Sequence, residues 1–484
     1  MTFDLRAIAI FGLAALLYGL APARWRGWLL LIGSVVAIYW LQPALPIRFS
    51  DFVLPTTTLL LATATWWISR PIDQSQPARD DLLTIAVMSL LVIGLSLFRF
   101  VDAEYRLTPS RPPEPLHVII ALLIAALLFS VTALVAKRLN RRHAATAGIL
   151  IVVGLFALLK TEALATIISG WWRGLTGQDT SLASTLDLNW LGFSYIAFRL
   201  IHTLRDRQTG QLPALSLREY ITYAIFFPAV TAGPIDRAER FVGDVRAAPT
   251  LKGFDAERWL SAGTRIAIGL LKKFVIADSL AQGLSLNANN ATQINNSFGL
   301  WILLYGYAFR LFFDFSGYTD IAIGLGQLFG VNLPDNFKRP YLKTNITTFW
   351  QSWHMTLSAW ARAYVFSPLS RWLLMLKRRP SSTVIVLITQ LATMIVIGLW
   401  HGVTLNFVLW GVWHGVALFV HKQWSDRTRK WWRSLQNRPR QKRAWTLFSW
   451  FVTFQYVVIG WLWFALPDVG QSARLMLRLF GIGW

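Results

Sequence analysis

Apolar stretches long enough to cross a lipid bilayer recur along this chain, and they exclude most soluble folds. Runs that approach or exceed the ~20 apolar residues needed for one crossing lie at 28–41, 82–97, 116–135, 144–159, 382–399 and 445–466. Only 15% of the 484 residues are charged, whereas an ordinary soluble domain has about 25%. Because helices satisfy their own backbone hydrogen bonds in lipid, we predict an all-α, polytopic membrane protein with about ten to twelve transmembrane helices.

The positions of basic residues predict which loops face the cytoplasm, where Lys and Arg accumulate. Arg24 and Arg26 follow the first predicted span, and Arg70 and Arg79 follow the third. The even-numbered loops have fewer basic residues or mix them with acidic ones. We therefore expect the N-terminus to lie outside the cell.

The first apolar stretch ends in Ala21-Pro22-Ala23, which resembles a signal-peptide cleavage site. Because Asp4 accompanies Arg6 ahead of the apolar stretch, where a signal peptide has a basic segment, we expect an uncleaved first helix. The chain has no cysteine, which excludes a thiol nucleophile, a disulfide and a cysteine-bound metal within it. We expect no metal and no permanently bound cofactor.

The largest basic run, 421–443, has nine Lys or Arg residues and a single acid, Asp426. Placement in the cytoplasm, next to anionic lipid, accounts for this charge. A dock for an acidic cytosolic partner, or for the phosphates of a coenzyme, is the more specific alternative. Nucleic acid is an unsuitable partner because the run is tethered beside a membrane span.

The character of the sequence changes near residue 190 and divides the chain into regions. Residues 1–165 have the pattern of a membrane-spanning scaffold, and the polar segment 166–189 that of an external loop or a helix in the membrane interface. Beyond it, charged residues, Gly and Pro interrupt the apolar stretches, which is tolerated at membrane depth only around protein or a water-filled cavity. We therefore predict a functional core at 190–421, a basic cytoplasmic loop at 422–444, and a final transmembrane helix and tail at 445–484.

One segment of this core breaks an apolar run just before charged residues. In FFPAVTAGPIDRAERF, residues 226–241, Pro228 and Pro234 precede Arg237. Proline removes a helical hydrogen bond and bends the chain. The segment therefore predicts a broken or re-entrant helix, with an ordinary loop at the end of a span as the alternative.

A second segment, 305–330, places charges inside an apolar run. Arg310 and Asp314 share one helix face and can neutralise each other, and Asp320 follows after the flexible Ser316-Gly317. Ionisable groups at membrane depth usually face a polar interior. A role in lining a site and a purely structural ion pair both remain open.

The segment 333–369 is dense in Trp and Tyr around His354. These aromatic residues favour the membrane interface, and the segment by itself resembles an amphipathic helix that dips into the membrane. A histidine in such surroundings is either a hydrogen-bonded packing residue or a catalyst.

The stretch GLWHGVTLNFVLWGVWHG, residues 398–415, places His401 and His414 in apolar surroundings. In one straight helix they would be about 20 Å apart and would point about 140° apart, so they can share a small site only if the helix breaks. His401 follows the apolar run 384–399 and lies deeper than His414, which is close to the basic run. Because burial disfavours the imidazolium, His401 is the better base for a hydroxyl proton.

Several motifs occur in a fixed order in the second half of the chain. They are AGPIDR at 232–237, DFSGYTDIAIGLG at 314–326, NFKRPY at 336–341, FWQSWHMTLSAW at 349–360, and GLWHG with a following WHG at 398–415. With these motifs, residues 190–420 resemble the membrane-bound O-acyltransferase family, and in particular its bacterial branch that acylates exported polymers such as alginate, cellulose and teichoic acid. After YVFSPL the chain reads SRWLLMLKRRP, where alginate-type members commonly have a Gly-rich turn, so the acceptor stays open.

The resemblance implies that His401 is the catalytic histidine and His354 the second signature histidine of this family. It implies a central funnel or tunnel, which we expect Asn345, Trp353 and Asn406 to line. There a cytosolic acyl thioester, either a coenzyme A ester such as acetyl-CoA or an acidic acyl-carrier protein, meets an acceptor hydroxyl. The implied acceptor is an exported polysaccharide, or a partner acyltransferase outside the plasma (inner) membrane of a bacterium.

Two other functions remain open at this point. A transporter or flippase for an anionic lipid or glycan would use Arg310 and Arg237 as ligands, but it does not explain two histidines at the spacing of an acyltransferase. An acyltransferase-like scaffold without catalysis is disfavoured because both signature histidines are present.

Overall fold

The computed structural model of the chain describes residues 4–71, 77–138 and 140–483. These residues form helices and no strand, which confirms the prediction of an all-α, polytopic membrane protein. Six of the helices they form are long and apolar enough to cross a membrane, and Leu5–Leu20 and Pro115–Val131 are shorter apolar helices. The predicted regions also include residues 1–3, 72–76, 139 and 484, which lie outside the described part of the chain.

The chain divides into two compact units. The first extends to Ile266 and includes Ala322–Leu333, and the second contains Ala267–Ile321 and Pro334–Trp484. The helices that begin in the first unit are α1 (Leu5–Leu20), α2 (Ala23–Trp40), α3 (Ser50–Ser69), α4 (Arg79–Ser96), α5 (Pro115–Arg138), α6 (Arg141–Lys160), α7 (Glu162–Leu175), α8 (Phe193–Gln208), α9 (Leu217–Ile225), α10 (Ala238–Ala247) and α11 (Ala256–Leu270).

The helices that begin in the second unit are α12 (Asp278–Ala281), α13 (Asn290–Gln293), α14 (Ser297–Leu328), α15 (Ile346–Trp350), α16 (Met355–Ala361), α17 (Ser367–Leu374), α18 (Ser382–His401), α19 (Leu405–Leu435), α20 (Pro439–Gly460), α21 (Leu462–Ala465) and α22 (Val469–Arg478). Two π-helical segments, Leu271–Ala277 and Arg362–Phe366, also occur in this unit.

In the first unit, the helix break expected around 226–241 is present. Helix α9 ends at Ile225, a 3₁₀ turn covers Phe227–Ala229, and α10 begins only at Ala238. The buried guanidinium of Arg199 donates to the carbonyl oxygens of Ala224 (2.9 Å) and Ala229 (3.0 Å). It thereby satisfies backbone acceptors that an interrupted helix leaves without an internal partner.

In the second unit, α18 and α19 form an antiparallel hairpin whose backbones meet at glycines. A Cβ placed on Gly398 would lie 2.2 Å from the carbonyl oxygen of Phe407, and one on Gly411 would lie 2.6 Å from that of Met394. Helix α18 ends at His401 and α19 starts at Leu405. Gly398 of the GLWHG motif and Gly411, two residues before the WHG motif, therefore permit a close approach of two backbones that no side chain would allow.

The basic segment 422–444, predicted as a loop, is mostly helical. Helix α19 continues to Leu435 and α20 begins at Pro439. Lys and Arg are good helix formers, and the ammonium of Lys422 lies 2.7 Å from the carboxylate of Asp426 one turn later. The basic residues thus extend two helices and do not form a flexible connection.

The polar segment 166–189 contains the end of α7 and two 3₁₀ turns, Thr180–Leu182 and Thr185–Leu188. The buried carboxylate of Asp187 accepts from Nη2 of Arg173 at 3.0 Å and from the hydroxyl of Ser169 at 2.6 Å. This paired charge fixes the turns against α7.

The α18–α19 contact generates a prediction about stability. We expect Gly398→Ala to lower the stability of the protein by about 1–3 kcal/mol, the usual cost of overpacking a rigid contact, because the new methyl group meets the Phe407 carbonyl. The thermal unfolding midpoint of the detergent-solubilised protein measures the effect. Gly154→Ala in α6 is the matched control, since a Cβ there meets nothing within 4 Å. Equal midpoints for Gly398→Ala and the wild type would show that the hairpin tolerates the methyl group.

Candidate active site

His401 is the last residue of α18, and aromatic rings determine where its side chain lies. Its imidazole packs edge-on against Phe464 (ring centroids 4.7 Å apart) and Trp410 (5.6 Å) and roughly parallel to Phe407 (5.9 Å). Phe407 and Trp410 belong to α19 and Phe464 to α21. The hairpin turn therefore delivers His401 into an aromatic cluster whose rings do not exchange protons with it.

His354 is buried, with 2% of its surface exposed, and its hydrogen bond defines its tautomer. The side-chain oxygen of Asn336 accepts from the backbone N–H of Thr356 (3.1 Å), which identifies this atom as the oxygen. Nδ1 of His354 lies 3.2 Å from the same oxygen and must be the donor. The neutral ring therefore has its lone pair on Nε2, which is buried without a hydrogen-bond partner among the described residues.

The backbone of His354 is in the left-handed region, with φ at +42°. Such a conformation costs a non-glycine residue about 1–3 kcal/mol and persists where the surroundings impose it. Two bonds around the residue do so here. Asn336 accepts from the backbone N–H of Met355 through its carbonyl oxygen (2.9 Å) and from the His354 ring through its side chain. Strain of this kind concentrates at functional sites.

The imidazoles of His354 and His401 are coupled through space. Both contact the indole of Trp400, at centroid distances of 5.7 Å and 4.6 Å respectively. Burial holds the pKa of His354 well below its ordinary value, and the nearby His401 lowers that pKa further. A positive charge on His401 therefore opposes protonation of His354.

His414 approaches the same cluster because the helix is not continuous between the two histidines. The interruption at residues 402–404 leaves the rings of His401 and His414 in contact with one indole, that of Trp410, at 5.6 Å and 4.9 Å. The helix is therefore broken between His401 and His414, as a site shared by the two histidines requires. Nδ1 of His414 accepts from the indole N–H of Trp350 (3.4 Å), and the ring is fully buried.

The three residues expected to line the passage have different surroundings. Trp353 is buried in the aromatic cluster, 5.2 Å from Phe337 and 5.1 Å from Trp461. Asn345 caps α15 by accepting from the backbone N–H of Thr348 (2.9 Å). The amide of Asn406 donates to the carbonyl of Leu466 (2.7 Å), which fastens α19 to the segment after α21. Of the three, only Trp353 lies in the cluster that contains His354.

The partners of Asp314 and Asp320 differ from those that the sequence suggested. Asp314 pairs with Lys273 (2.9 Å) and Asp320 with Lys272 (2.6 Å), whereas Arg310 donates to the hydroxyl of Ser285 at 3.4 Å. The i,i+4 spacing permitted an Arg310–Asp314 pair, but both carboxylates instead pair with lysines of the π-helical segment Leu271–Ala277. The carboxylates of Asp314 and Asp320 are therefore explained as members of structural ion pairs.

Helix α14 is also continuous through Ser316-Gly317, where the sequence suggested flexibility. A Cβ on Gly317 would lie 2.8 Å from the carbonyl oxygen of Gly269. The glycine is therefore explained by close helix packing and not by a hinge. Likewise, the segment 333–369 forms three short helices and a π turn, not the single amphipathic helix that its composition resembles.

Arg237 belongs to the first unit, whereas His354, His401 and His414 belong to the second. Its guanidinium contacts Asp206 (3.3 Å) and Glu239 (3.0 Å). His202 contacts Asp206 through Nε2 at 2.9 Å. Burial alone would lower the pKa of His202, but Asp206 and Glu239 hold it above the ordinary value. The site residues predicted from sequence thus fall into two groups, and Arg237 is in an ion network of its own.

This network contains the one set of described side chains with ligand atoms close enough to hold a metal ion, namely those of His202, Asp206 and Glu239. Nδ1 of His202 lies 3.1 Å from the hydroxyl of Tyr223, which itself donates to the carbonyl of Asp236 (2.9 Å). Nδ1 must therefore carry a proton, and Nε2 carries the other against Asp206. The protonated His202 and Arg237 already balance the carboxylates of Asp206 and Glu239. The geometry therefore suits a charge-balanced network and not a metal centre.

Comparison with known proteins identifies the family. A profile of the membrane-bound O-acyltransferase family matches residues 141–462, which is more than half of the chain and includes both His354 and His401. The chain belongs to the membrane-bound O-acyltransferase family.

The names of three relatives are those of acyltransferases for teichoic acid, peptidoglycan and alginate. A teichoic acid D-alanyltransferase of Bacillus subtilis (strain 168) is 28% identical over 400 residues, which is 79% of this chain and 95% of the relative. A peptidoglycan O-acetyltransferase of Helicobacter pylori is 31% identical over 58% of this chain and 52% of the relative. A probable alginate O-acetylase of Pseudomonas syringae is 30% identical over 60% and 52%. The chain spans only about half the length of the last two.

Family membership and the six long apolar helices together make the protein a multi-pass membrane acyltransferase. The transporter hypothesis depended on Arg310 and Arg237 as ligands. Each of them already has a partner inside its own unit, and neither contributes to the histidine cluster.

Sequence reasoning did not single out three residues that shape the acyltransferase site. Asn336 begins the NFKRPY motif, Trp400 directly precedes the histidine of GLWHG, and Trp410 follows that histidine by nine residues. A signal for Asn336 was available, since an amide in a motif next to an aromatic-rich histidine segment is a suitable donor or acceptor for an imidazole. The two tryptophans look like ordinary apolar residues until the hairpin brings them against the imidazoles.

The hydrogen bond from His354 to Asn336 generates a prediction about pH. Asn336→Asp keeps the acceptor but adds a negative charge, which favours the imidazolium and should raise the pKa of His354. We expect acyl transfer to need neutral imidazoles, so the acidic limb of the pH profile of kcat/KM should move to higher pH. The exposed Asn295→Asp serves as the control. An acidic limb at the same pH in both variants would show that His354 does not titrate with activity.

Proposed function

We propose that the protein transfers a short acyl group, acetyl in the simplest case, from a cytosolic thioester to a hydroxyl of an exported polysaccharide or other cell-envelope polymer. The observation that carries this proposal is the pair of coupled imidazoles, those of His354 and His401, which both contact the indole of Trp400. Neutral imidazoles in low-polarity surroundings suit proton transfer from a hydroxyl. We place the protein in a bacterial plasma membrane with its N-terminus outside.

In this mechanism His401 is the general base. As the acceptor oxygen attacks the thioester carbonyl, its proton passes to the imidazole of His401, and a tetrahedral intermediate forms. Collapse of the intermediate breaks the carbon–sulfur bond and forms the ester. The imidazolium then returns the proton to the leaving thiolate, so the enzyme ends in its initial state.

His354 orients the hydroxyl. Its Nε2 lone pair can accept a hydrogen bond, whereas polarising the thioester carbonyl would need an N–H at that atom. The bond from Nδ1 to Asn336 fixes this tautomer. When His401 takes up the proton, its charge keeps His354 neutral, because the two groups disfavour each other's charged form. The two histidines therefore have complementary roles.

The nature of the acceptor is supported by the relatives. The names of all three mention polymers of the bacterial envelope or an exported polysaccharide. A hydroxyl group on such a polymer, or on a second acyltransferase that completes the transfer outside the membrane, satisfies the same chemistry. The donor is acetyl-CoA or another short acyl thioester.

The proposal predicts that His401→Ala reduces acyl transfer by about 10²–10⁴-fold, the usual contribution of positioned proton transfer. In a strain that lacks the chromosomal copy, alkali-labile acyl esters on exported polymers are measured after complementation with wild type or His401→Ala. His117→Ala, whose side chain is 69% exposed, is the control for loss of a histidine. All three proteins are matched for abundance in the membrane.

Esters restored by the wild type and by His117→Ala, but not by His401→Ala, support the proposal and reveal the acyl group and the acceptor. Equal restoration by His401→Ala would move the base to another residue. No restoration by the wild type would remove the proposed polymer from consideration as the acceptor.

A further inference from the structure

The first unit contains a cavity whose residues have no role in the proposed acyl transfer. It has a volume of about 430 Å³, within the range typical of ligand sites. Its wall includes Arg48, Arg99 and Arg111. They come from three separate stretches of the chain, namely the connections before α3, after α4 and before α5. We call this site the arginine cavity.

The positive charge of the arginine cavity is only partly neutralised. Arg99 is held in place because it donates to the carbonyl of Pro112 (2.9 Å) and to the carboxylate of Glu114 (3.2 Å). Arg48 and Arg111 have no acidic partner among the residues that the structure describes. Two guanidinium groups, each a planar, bidentate donor, are therefore available to an anion.

The rest of the wall is largely apolar. Leu45, Ile47 and Phe49 contribute side chains to it, and Ser110 contributes a hydroxyl. The buried carboxylate of Asp51 interacts with this hydroxyl. The cavity stays cationic, because its guanidinium groups outnumber the carboxylates beside them. It thus offers charge and apolar surface to the same ligand.

The turn that presents Arg48 has a fixed shape. Phe49 is in the left-handed region, with φ at +65°, which costs a non-glycine residue about 1–3 kcal/mol and persists where the surroundings impose it. The guanidinium of Arg48 lies 6.0 Å from the centre of the Phe49 ring. The backbone N–H of Arg48 donates to the side chain of Gln178 at 2.8 Å. Strain of this kind is common at ligand sites.

The arginine cavity lies where helices that can cross a membrane begin and end. Helix α3 starts one residue after Phe49, and α4 ends three residues before Arg99. Both are long and apolar enough to span a bilayer. The cavity is therefore at the level of the lipid headgroups.

Helix α7 exposes an apolar strip close to the same level. Leu164, Ile167, Trp171 and Leu175 recur every three or four residues and are 45–66% exposed. With 14 residues, α7 is about 21 Å long, too short for the ~30 Å hydrocarbon core. A helix with such a strip suits the membrane interface.

Gln178 joins the end of α7 to the cavity. It follows α7 by three residues. Its side-chain amide donates to the carbonyl of Pro46 (2.9 Å), and its side-chain oxygen accepts from the backbone N–H of Arg48. The apolar strip and the cationic cavity therefore belong to one continuous surface of the first unit.

We infer that the arginine cavity binds the headgroup phosphate of an anionic phospholipid, with α7 lying in the same interface. The leaflet is the outer one in the orientation proposed above. The phosphate pairs with Arg48 and Arg111, and the glycerol lies against the apolar wall. A zwitterionic headgroup adds an ammonium group, which the arginines repel. An exported polyanion offers charge but no apolar part for this wall.

The first test measures lipid binding. The full-length protein in detergent is titrated with phosphatidylglycerol or with phosphatidylcholine of the same acyl chains, and native mass spectrometry counts the bound lipids. We expect phosphatidylglycerol to bind more tightly, and salt to weaken its binding because the contact is charged. Equal binding of the two lipids would overturn the inference.

Competition identifies the source of the phosphate. Glycerol 3-phosphate, inorganic phosphate and alginate are each added to the protein with bound phosphatidylglycerol. We expect none of them to displace the lipid at equal concentration, because none supplies an apolar part. Displacement by either small phosphate would indicate a site for soluble phosphates, and displacement by alginate a site for a polymer. Either result would overturn the inference.

Matched variants locate the bound lipid. The double variant Arg48→Gln/Arg111→Gln should raise Kd for phosphatidylglycerol about tenfold or more. Arg48→Lys/Arg111→Lys, which keeps the charge but not the planar fork, should have an intermediate Kd. The control Arg6→Gln/Arg24→Gln removes the same charge from exposed arginines outside the cavity wall. Equal Kd values for the two glutamine variants would place the lipid elsewhere and overturn the inference.

A spin label tests the position of α7. Because the chain has no cysteine, Ile167→Cys provides a single labelling site in the protein in phosphatidylglycerol nanodiscs. We expect dissolved oxygen, which concentrates in lipid, to relax this label more than a water-soluble nickel complex does. Ser434→Cys, at an exposed position of the basic segment, should show the reverse. A label at Ile167 as accessible to nickel as that at Ser434 would put α7 in water and overturn the inference.

None of these measurements requires turnover, so their outcome is independent of the proposed function. Lipid binding that responds to the arginine variants, in a protein that transfers no acyl group, would support the arginine cavity and count against the proposed function alone. Acyl transfer by a protein that binds both lipids equally would overturn the inference and leave the proposed function intact.

Discussion

The contact between the backbones of α18 and α19 is the constraint on which the rest of the second unit depends. Gly398 and Gly411 allow each helix to approach the carbonyl groups of the other. The approach fixes the turn after His401 and thereby the position of its ring. It also fixes the start of α19, which then runs without interruption from the aromatic cluster to the basic segment. One packing contact thus sets the spacing between the candidate catalytic histidine and the basic segment.

The polar chemistry of the candidate site depends on what surrounds the imidazoles. The rings of His354, His401 and His414 pack against aromatic side chains, and the hydrogen bonds of His354 and His414 are with an amide and an indole. The carboxylates of Asp314 and Asp320 in α14 are instead paired with lysines. The basicity of His354 is therefore set by burial and by its histidine neighbour, and not by a carboxylate such as those that strengthen many catalytic histidines.

Much of this arrangement could be predicted from the sequence, and the remainder depends on three-dimensional contacts. Apolar runs predicted the helices because each crossing needs a minimum length, and the prolines and glycines predicted the break before Arg237. The sequence suggested Arg310 as the partner of Asp314 because intrahelical spacing is visible in one dimension. Lys273 is 41 positions earlier, and only the packing of a π-helical segment against α14 brings it near. The same limit applied to Asn336, which lies 18 positions before His354 and approaches it only in the folded chain.

The π-helical segment Leu271–Ala277 lies within a continuous run of helix from Ala256 to Ala281. Consecutive residues of an α-helix point about 100° apart, yet Lys272 and Lys273 both reach carboxylates of α14. A π turn holds one residue more than an α turn, so the segment is equivalent to a one-residue insertion in an ordinary helix. Deleting a single residue there would restore regular α-helix and rotate one lysine away. The π-helical segment must therefore keep its length, because a chain shortened there by one residue would leave an aspartate of α14 without its counter-charge.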